Sequence, residues 1–284
     1  MSIEQINALH TSLAGVVVWF NPTDKEVENI KSYLGALQTL YVVDNSAGDN
    51  AALLAELSGE ATSIEYIANL DNLGIARALN IGCQRALEKG YDWILTMDQD
   101  SGFSTAEMAK YIEAFERRKI DDPSIAVFTP VTGEEQQEGY AQRVITSGNI
   151  LSLAAYQVIG GFDDELFIDE VDHDLCYKMT KNGYKIYTFG NVHMEHKLGN
   201  TQLHPYFFNR AMWVMHHSAI RKYYITRNRL LMRDRYPEFT ADYDKFNRQL
   251  LVGVIFFEEQ KLLKLRYMLK GYRDYKNNRL GKMR

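Results

Sequence analysis

Residues 93–102 read WILTMDQDSG. The run Trp93–Met97 has strand character and ends abruptly in two carboxylates, Asp98 and Asp100, one residue apart. A short apolar run bounded by turn signals reads as a buried strand, and open α/β sheets take their ligands at the carboxyl ends of strands. Two hard oxygen ligands at such a place suit a divalent cation that completes its shell with substrate phosphates. An acidic loop after a strand has the same local sequence, so the flanking chain must decide.

The flanking chain repeats the pattern. Ala14–Phe20 is a β-branched run stopped by Asn21-Pro22, Leu40–Val43 ends at Asp44-Asn45-Ser46, and Ser63–Ile67 and Ala126–Thr129 are further strands. Helices fall between them. One opens on the capping-box pair Thr23 and Glu26 and runs towards Leu37; Ile75–Lys89 is stopped by Gly90; a third opens on Ser104 and Glu107 and runs to about Arg118. This alternation predicts an α/β fold, Rossmann-like, with a mostly parallel sheet and helices on both faces. Further on, Val144–Ser152 reads as two short strands bent at Ser147-Gly148, Asp169–Asn182 as a helix ended by Gly183, and Tyr184–Phe189 and Asn191–Glu195 as short strands. After His204-Pro205 the strand signals fade. Asn209–Tyr236 and the stretch from Ala241 to near the end read as helical. The expected division is an α/β domain over 1–204 and a helical, basic segment over 205–284.

Charge follows the same division. Residues 1–200 hold 14 Lys+Arg against 30 Asp+Glu, and residues 201–284 hold 18 against 7. An acidic front repels a polyanion and argues against nucleic-acid binding, while the basic back suits phosphate groups of a membrane or a substrate. Cys83 and Cys176 fall in separate expected helices without metal-ligand spacing and read as buried thiols in a reducing compartment. The first residues, MSIEQINALH, lack the basic-then-apolar pattern of a signal segment, and no apolar run approaches membrane-spanning length. These features predict a cytoplasmic protein whose membrane contact, if any, is peripheral at the inner face.

Four polar clusters follow expected strands or open expected helices: Asn21-Pro22, Asp44-Asn45-Ser46, Asn72-Leu73-Gly74 and Asp98-Gln99-Asp100. Parallel strand ends converge on one sheet edge, so the four are candidates to line one crevice. The Asn72–Gly74 turn precedes a helix whose free N–H groups suit an anion, with Arg77 in the first turn. A second acidic cluster, Asp169-Glu170-Val171-Asp172-His173-Asp174, places four carboxylates in six residues. Such crowding can raise one pKa and make a general base; the same acids also suit the start of a helix. His193 and His196 are three apart, a weak metal signal that strengthens if Asp100 is itself a ligand. Arg221-Lys222-Tyr223-Tyr224 and Arg227-Asn228-Arg229 form a basic helix face, readable as solvated surface or as a clamp for a diphosphate or a lipid-phosphate acceptor.

Taken in order and spacing, VVVWFNP (16–22), VVDNS (42–46), DNLGIARALNIG (71–82), LTMDQDS (95–101), SGNILS (147–152), GGFDDELFIDEVDHDLCYKM (160–179), HKLG (196–199) and RKYYITRN (221–228) resemble family 2 glycosyltransferases of the GT-A fold. More narrowly the chain resembles the bacterial rhamnosyltransferase-like members that build O-antigen or capsule chains, and the resemblance covers nearly its whole length. It implies that Asp44 reads the pyrimidine base, that Asn21, Asn72, Arg77 and Arg227 lie along the donor, that Asp98 sits near ribose and sugar, and that Asp100 ligates the metal with His196 completing the site. Asp172 aligns with the family's catalytic base. Val171 stands where relatives often carry Glu, which leaves Asp169 as the alternative. The implied reaction is an inverting, metal-dependent transfer of a sugar, best matched by rhamnose from dTDP-rhamnose, onto a lipid-linked or growing cell-surface polysaccharide. Oxygen ligands with one imidazole suit Mn²⁺ or Mg²⁺, and the nitrogen favours Mn²⁺.

Three alternatives bear on the same residues. A UDP-sugar donor (galactofuranose, galactose or N-acetylglucosamine) would use the same base reader. A nicotinamide-dependent oxidoreductase is disfavoured, because no G-x-G-x-x-G follows the first strand. A binding protein without turnover would not need the full carboxylate and histidine set. From Lys261 to Arg284 there are nine Lys+Arg and one acid, with Leu262, Leu265, Leu269 and Tyr272 at helical spacing. That stripe is expected either to pack on its own domain or to meet anionic headgroups. The helices after Pro205 are also candidates to pair two subunits as a homodimer.

Overall fold

The computed structural model describes residues 12–57, 59, 61–132, 137–196, 201–206 and 210–284. The N-terminal stretch read above (1–10), the last three residues of HKLG (197–199) and the expected helix start at 209 lie outside them. The chain divides into two compact units, residues 1–163 with 172–196 and residues 164–171 with 197–284. The break thus falls at 196/197 instead of 204/205, and the segment 164–171 joins the second unit.

In the first unit the strands are β1 (Leu13–Trp19), β2 (Thr39–Asp44), β3 (Ser63–Ala68), β4 (Trp93–Asp98), β5 (Ser101–Gly102), β6 (Ile125–Val131), β7 (Gly139–Ala141), β8 (Asn149–Ser152), β9 (Lys185–His193) and β10 (Glu195–His196). The helices are α1 (Asp24–Leu34), α2 (Ile75–Glu88), α3 (Thr105–Asp121), α4 (Leu153–Val158) and α5 (Val171–Lys181). Eight strands form one sheet in the order β3-β2-β1-β4-β8-β6-β9-β7. β1 pairs parallel with β2 and β4, β2 with β3, and β6 with β9; β8 runs antiparallel between β4 and β6.

Successive side chains of a strand point to opposite faces, and β1 shows what each face meets. Val17 joins the core that includes Val27 and Ile30 of α1 and Tyr111 and Phe115 of α3. Val16 faces α2, where Gly82 lets the helix close on the strand; a Cβ there would lie 2.3 Å from Val16 Cγ2. Helices therefore cover both faces, and β1 and β2 are buried along their full length, as a central parallel sheet demands. Thr23 donates its N–H to Glu26 Oε2 (2.7 Å), so the expected capping box opens α1.

Several local expectations give way to tertiary demands. Only Asn149–Ser152 of the 144–152 stretch is a strand, because Gly148 turns the chain at φ +83°. Residues 185–193 form one strand where two were expected. α5 begins at Val171, not Asp169, because Asp169 and Glu170 both adopt left-handed backbone (φ +66° and +67°).

The second unit holds an antiparallel hairpin, β11 (Thr201–Tyr206) and β12 (Arg210–Met215), followed by α6 (Ala219–Arg235), α7 (Thr240–Phe256) and α8 (Lys261–Lys276). The helix expected from 209 is thus a strand up to Met215, since Trp213, Val214 and Met215 alternate between faces and favour a sheet. Ser218 sets the true helix start, its Oγ accepting from Arg221 N (3.3 Å). The helical stretch expected from 241 onward is two helices, broken where Gln260 turns to φ +51°.

Candidate active site

The registers Trp19↔Asp44, Val18↔Asp98 and Asp44↔Ala68 bring the carboxyl ends of β1, β2, β3 and β4 to one sheet edge. All four polar clusters follow that edge. Asn45 ties two of them together: its Nδ2 donates to Gly74 O (3.0 Å) and its Oδ1 accepts from Asn69 Nδ2 (2.9 Å). Asn72 Oδ1 accepts from Gly74 N (2.9 Å), folding the turn in front of α2, and Arg77 is exposed in the first turn of that helix. Exposed Asn21 takes a left-handed backbone (φ +49°), with its N–H donated to Ser46 Oγ (2.7 Å).

Asp44 is only 1% exposed. Its Oδ1 accepts from Ser46 N (2.8 Å), and its Oδ2 from Asn50 Nδ2 and Tyr66 O–H (both 2.7 Å). Burial and the hydrogen bond to Asp44 push the Tyr66 phenol well up, so it stays a donor. A carboxylate has about four acceptor positions; three are filled by described residues.

Asp98, Asp100 and His196 form the one group of three or more metal-capable side chains found among the described residues, with ligand atoms all within 4.8 Å of one another. Local structure puts them there. Asn29 Nδ2 donates to Gln99 O (2.7 Å), Gln99 Oε1 accepts from Phe20 N (2.7 Å), and buried Ser147 Oγ accepts from Asp98 N (3.0 Å). These contacts fix the DQD turn against β1, α1 and the 147–148 turn. β5 pairs antiparallel with β10 so that Ser101 stands opposite His196, and Ser101 Oγ lies 2.8 Å from His196 Nδ1. Asp100 Oδ1 is 3.7 Å from the same nitrogen. The tautomer that donates Nδ1–H to Ser101 leaves the Nε2 lone pair for a cation, the usual arrangement of a metal-bound histidine. Two carboxylates, one oriented imidazole and an exposed Asp100 fit Mn²⁺ or Mg²⁺ with room for phosphate oxygens. His193 is outside this group. Its N–H donates to Glu107 Oε2 (2.6 Å), which holds the Glu107 carboxyl below its usual range.

Asp172 lies in the first turn of α5, half-buried, with Oδ1 accepting from His173 N (2.9 Å). Asp174 is fully buried and ion-paired with Lys178 (2.8 Å). Asp169, within the second unit, is engaged by Arg221, whose Nε and Nη2 reach Oδ1 at 3.1 and 3.0 Å. Burial raises the Asp169 pKa against the pull of that guanidinium.

Arg227 is placed differently from its expected position along the donor. It is fully buried and committed to backbone, donating Nη1–H to Gly281 O (2.6 Å) and Nη2–H to Glu165 O and Leu166 O (3.1 Å each). Neighbouring Asn228 Nδ2 contacts Leu166 O, Ile168 O and Asp169 O at 2.8, 2.8 and 3.0 Å. Arg229 Nε and Tyr243 O–H donate to the two oxygens of Glu170 (3.2 and 3.0 Å). The RKYYITRN motif is therefore the scaffold of the strap 164–171. The sequence leaves this face open between solvated surface and phosphate clamp, and only Arg227 is expected along the donor; carbonyl partners carry no side-chain signal that would show otherwise. Ser101 and Ser147 were missed as supports, although both stand inside motifs that had been singled out.

The family model for glycosyl transferase family 2 matches residues 25–179, which include the ends of β2, β3 and β4, Asp98, Asp100 and Asp172. The chain belongs to glycosyl transferase family 2. This transferase is 28% identical over 247 residues to the dTDP-rhamnosyl transferase RfbF of Shigella flexneri, a match covering 79% of this chain and 80% of that one. Among solved structures, S. aureus TarS 1–349 in complex with UDP-GlcNAc aligns with a TM-score of 0.51 at 14% identity, covering 94% of this chain and 73% of that one. The longer S. aureus TarS structure aligns with a TM-score of 0.53 at 16% identity over 93% of this chain, which spans 48% of that one. These likenesses show the fold: the transferase has the GT-A architecture, with a mostly parallel sheet, covering helices and a largely helical C-terminal part.

Proposed function

We propose that the transferase moves rhamnose from dTDP-rhamnose, with inversion, onto a lipid-linked or growing cell-surface polysaccharide. The observation that carries this reading is the Asp98–Asp100–His196 cluster at the converged strand edge, supported by the similarity to a dTDP-rhamnosyl transferase over most of the chain. Asp98, Asp100 and His196 hold Mn²⁺ or Mg²⁺, which when bound offsets charge developing on the nucleoside diphosphate. The unfilled acceptor position of Asp44 takes the N3–H of the pyrimidine, and Asn21, Asn72 and Arg77 border the rest of the nucleotide.

Asp172 is the base. Its carboxylate takes the proton of the acceptor hydroxyl as that oxygen bonds to the anomeric carbon from the face opposite the leaving group. The sugar–phosphate C–O bond breaks in the same step, and its electron pair leaves with the nucleoside diphosphate. The transition state has oxocarbenium character, as in glycoside chemistry generally. Asp169 is the weaker candidate because Arg221 already occupies its oxygens.

A thermal-shift panel of dTDP, UDP, GDP and NAD, each with and without Mn²⁺, tests the site, since a ligand that binds the native state raises its melting temperature. The expected result is a Mn²⁺-dependent shift, largest with dTDP. A larger shift with UDP moves the donor to the UDP-sugars. No shift with either pyrimidine nucleotide, or one with NAD alone, overturns the assignment. Asp172→Asn is expected to lower transfer by on the order of 10²- to 10⁴-fold while leaving the dTDP shift in place; retained turnover removes Asp172 from the role of base.

A further inference from the structure

Helix α8 is turned inside out. Its buried positions are Lys264, Met268, Gly271 and Asp274, spaced four, three and three apart and so on one face. Lys264 is accommodated by Glu258 (Nζ to Oε2 2.6 Å) and Asp274 by the Tyr223 hydroxyl (2.8 Å). Gly271 admits α6, for a Cβ there would lie 2.5 Å from Tyr223 O. The apolar stripe looks outward instead: Leu262 is 85% exposed, with Leu269 and Tyr272 also exposed and Leu265 half-buried. Arg266, Arg273 and Lys276 are exposed at intervening positions of that same face. A helix packed only on its own domain shows the opposite pattern.

Two other elements of this unit do the same. On the hairpin, Leu203 and Trp213 are directly opposite and Met215 shares their face. All three are exposed, Trp213 at 66%, while the reverse face places Val214 against Gly253 of α7. On α7, Arg248, Leu251 and Ile255 lie three and four apart and are exposed, beside exposed Phe256. Single exposed apolar residues are ordinary, but outward apolar faces on successive elements are not.

We propose that hairpin β11–β12 and the outward faces of α7 and α8 form a surface that seats on an anionic lipid bilayer. Trp213, Phe256 and Leu262 enter the headgroup region, and Arg248, Arg266, Arg273 and Lys276 meet lipid phosphates. Charge selects this occupant over a second copy of the chain, because self-pairing would juxtapose two segments that each carry 18 Lys+Arg against 7 Asp+Glu. No helix among the described residues is long and apolar enough to cross a membrane, so the contact lies in the interface.

The test is co-sedimentation of the full chain with vesicles of phosphatidylcholine alone or of phosphatidylcholine and phosphatidylglycerol in equal parts. Trp213 emission is followed in the same samples, since Trp19 is buried and Trp93 half-buried. Binding only to the phosphatidylglycerol vesicles, with Trp213 emission shifted to the blue, is expected. Arg266→Glu/Arg273→Glu is expected to weaken it by on the order of tenfold or more, and Phe256→Ser/Leu262→Ser to leave only an association that high salt abolishes. No sedimentation with either vesicle, equal binding by wild type and charge variant, or a salt-resistant dimer with Trp213 already blue-shifted would overturn the proposal. The dTDP-induced thermal shift, read on the same samples, separates failure of this surface from failure of the transfer site.

Discussion

Ser101 supports the candidate metal site from outside the Asp98–Asp100–His196 group. Its side chain is fully buried and its only described hydrogen bond is to His196 Nδ1, so it sets the ring's orientation and tautomer. Ser101→Ala is therefore expected to lower Mn²⁺ affinity about 10- to 100-fold, measured by isothermal titration, while dTDP binding without metal is unchanged. Equal Mn²⁺ affinity in the variant would show that the ring is held by β5–β10 pairing alone. At the same scale, the carboxylates of the acidic cluster at 169–174 serve separate ends. Asp169 and Glu170 are tied to arginines and Asp174 to a lysine, while Asp172 is held by a neighbouring backbone N–H. One-dimensional spacing could not sort them, because the partners lie on α6 and α5.

Turns and helices carry the next set of expectations. Gly148 closes the 147–148 turn at φ +83°, and a Cβ would lie 2.6 Å from Met194 Sδ and 2.9 Å from Pro130 Cγ. Gly148→Ala combines a disfavoured backbone with a clash, and a loss of about 2–4 kcal/mol by denaturant titration is expected. Because Ser147 bonds Asp98 N, weaker Mn²⁺ binding should accompany it. On α6, Arg227→Ala removes a charged donor from three carbonyls, of which Glu165 O keeps Gly281 N and Leu166 O keeps Asn228 Nδ2, and takes the guanidinium from the Tyr223 and Tyr224 rings (5.4 and 5.1 Å). The expected cost is on the order of 3 kcal/mol or more, seen as a lowered Tm, with dTDP affinity unchanged in the folded variant. Arg227→Lys should not rescue it, since a single ammonium cannot reproduce the fork. A variant of normal Tm that has lost dTDP would return Arg227 to the donor site.

Across the whole molecule the charge asymmetry read from sequence acquires a structural counterpart. The second unit buries a Lys222–Glu258–Lys264 cluster and sets His217 among Arg221, Lys222, Arg229 and Lys264. Burial, helped by those cations, lowers the His217 pKa from 6.5 to about 3. Above pH 6.5 the ring is neutral in folded and unfolded chains alike. Between 6.5 and about 3 the unfolded chain takes up a proton that the fold refuses, so stability falls as pH falls through that window and is not lost further below it. The slope is at most about 1.4 kcal/mol per pH unit. Denaturant titrations at pH 7 and pH 5 should show this loss in the wild type and a shallower one in His217→Asn; parallel pH profiles would clear His217 of the effect.

The sequence by itself determined the α/β class, the order of its first strands and helices, and the carboxylates at the strand edge. Each of those follows from local periodicity, caps and turn residues that a chain carries wherever it is. Tertiary structure alone decided three other matters. The first is that His196 meets Asp98 and Asp100, a juxtaposition set by the β5–β10 bridge that puts His196 opposite Ser101. The second is that Arg227 and Asn228 of the basic motif on α6 are interior scaffold, because their partners include backbone carbonyls brought to them by the strap 164–171. The third is which side of α8 faces inward. Helical spacing places Leu262, Leu269 and Tyr272 together, but burial went to Lys264 and Asp274, since Glu258 and Tyr223 stand opposite them to satisfy their polar ends.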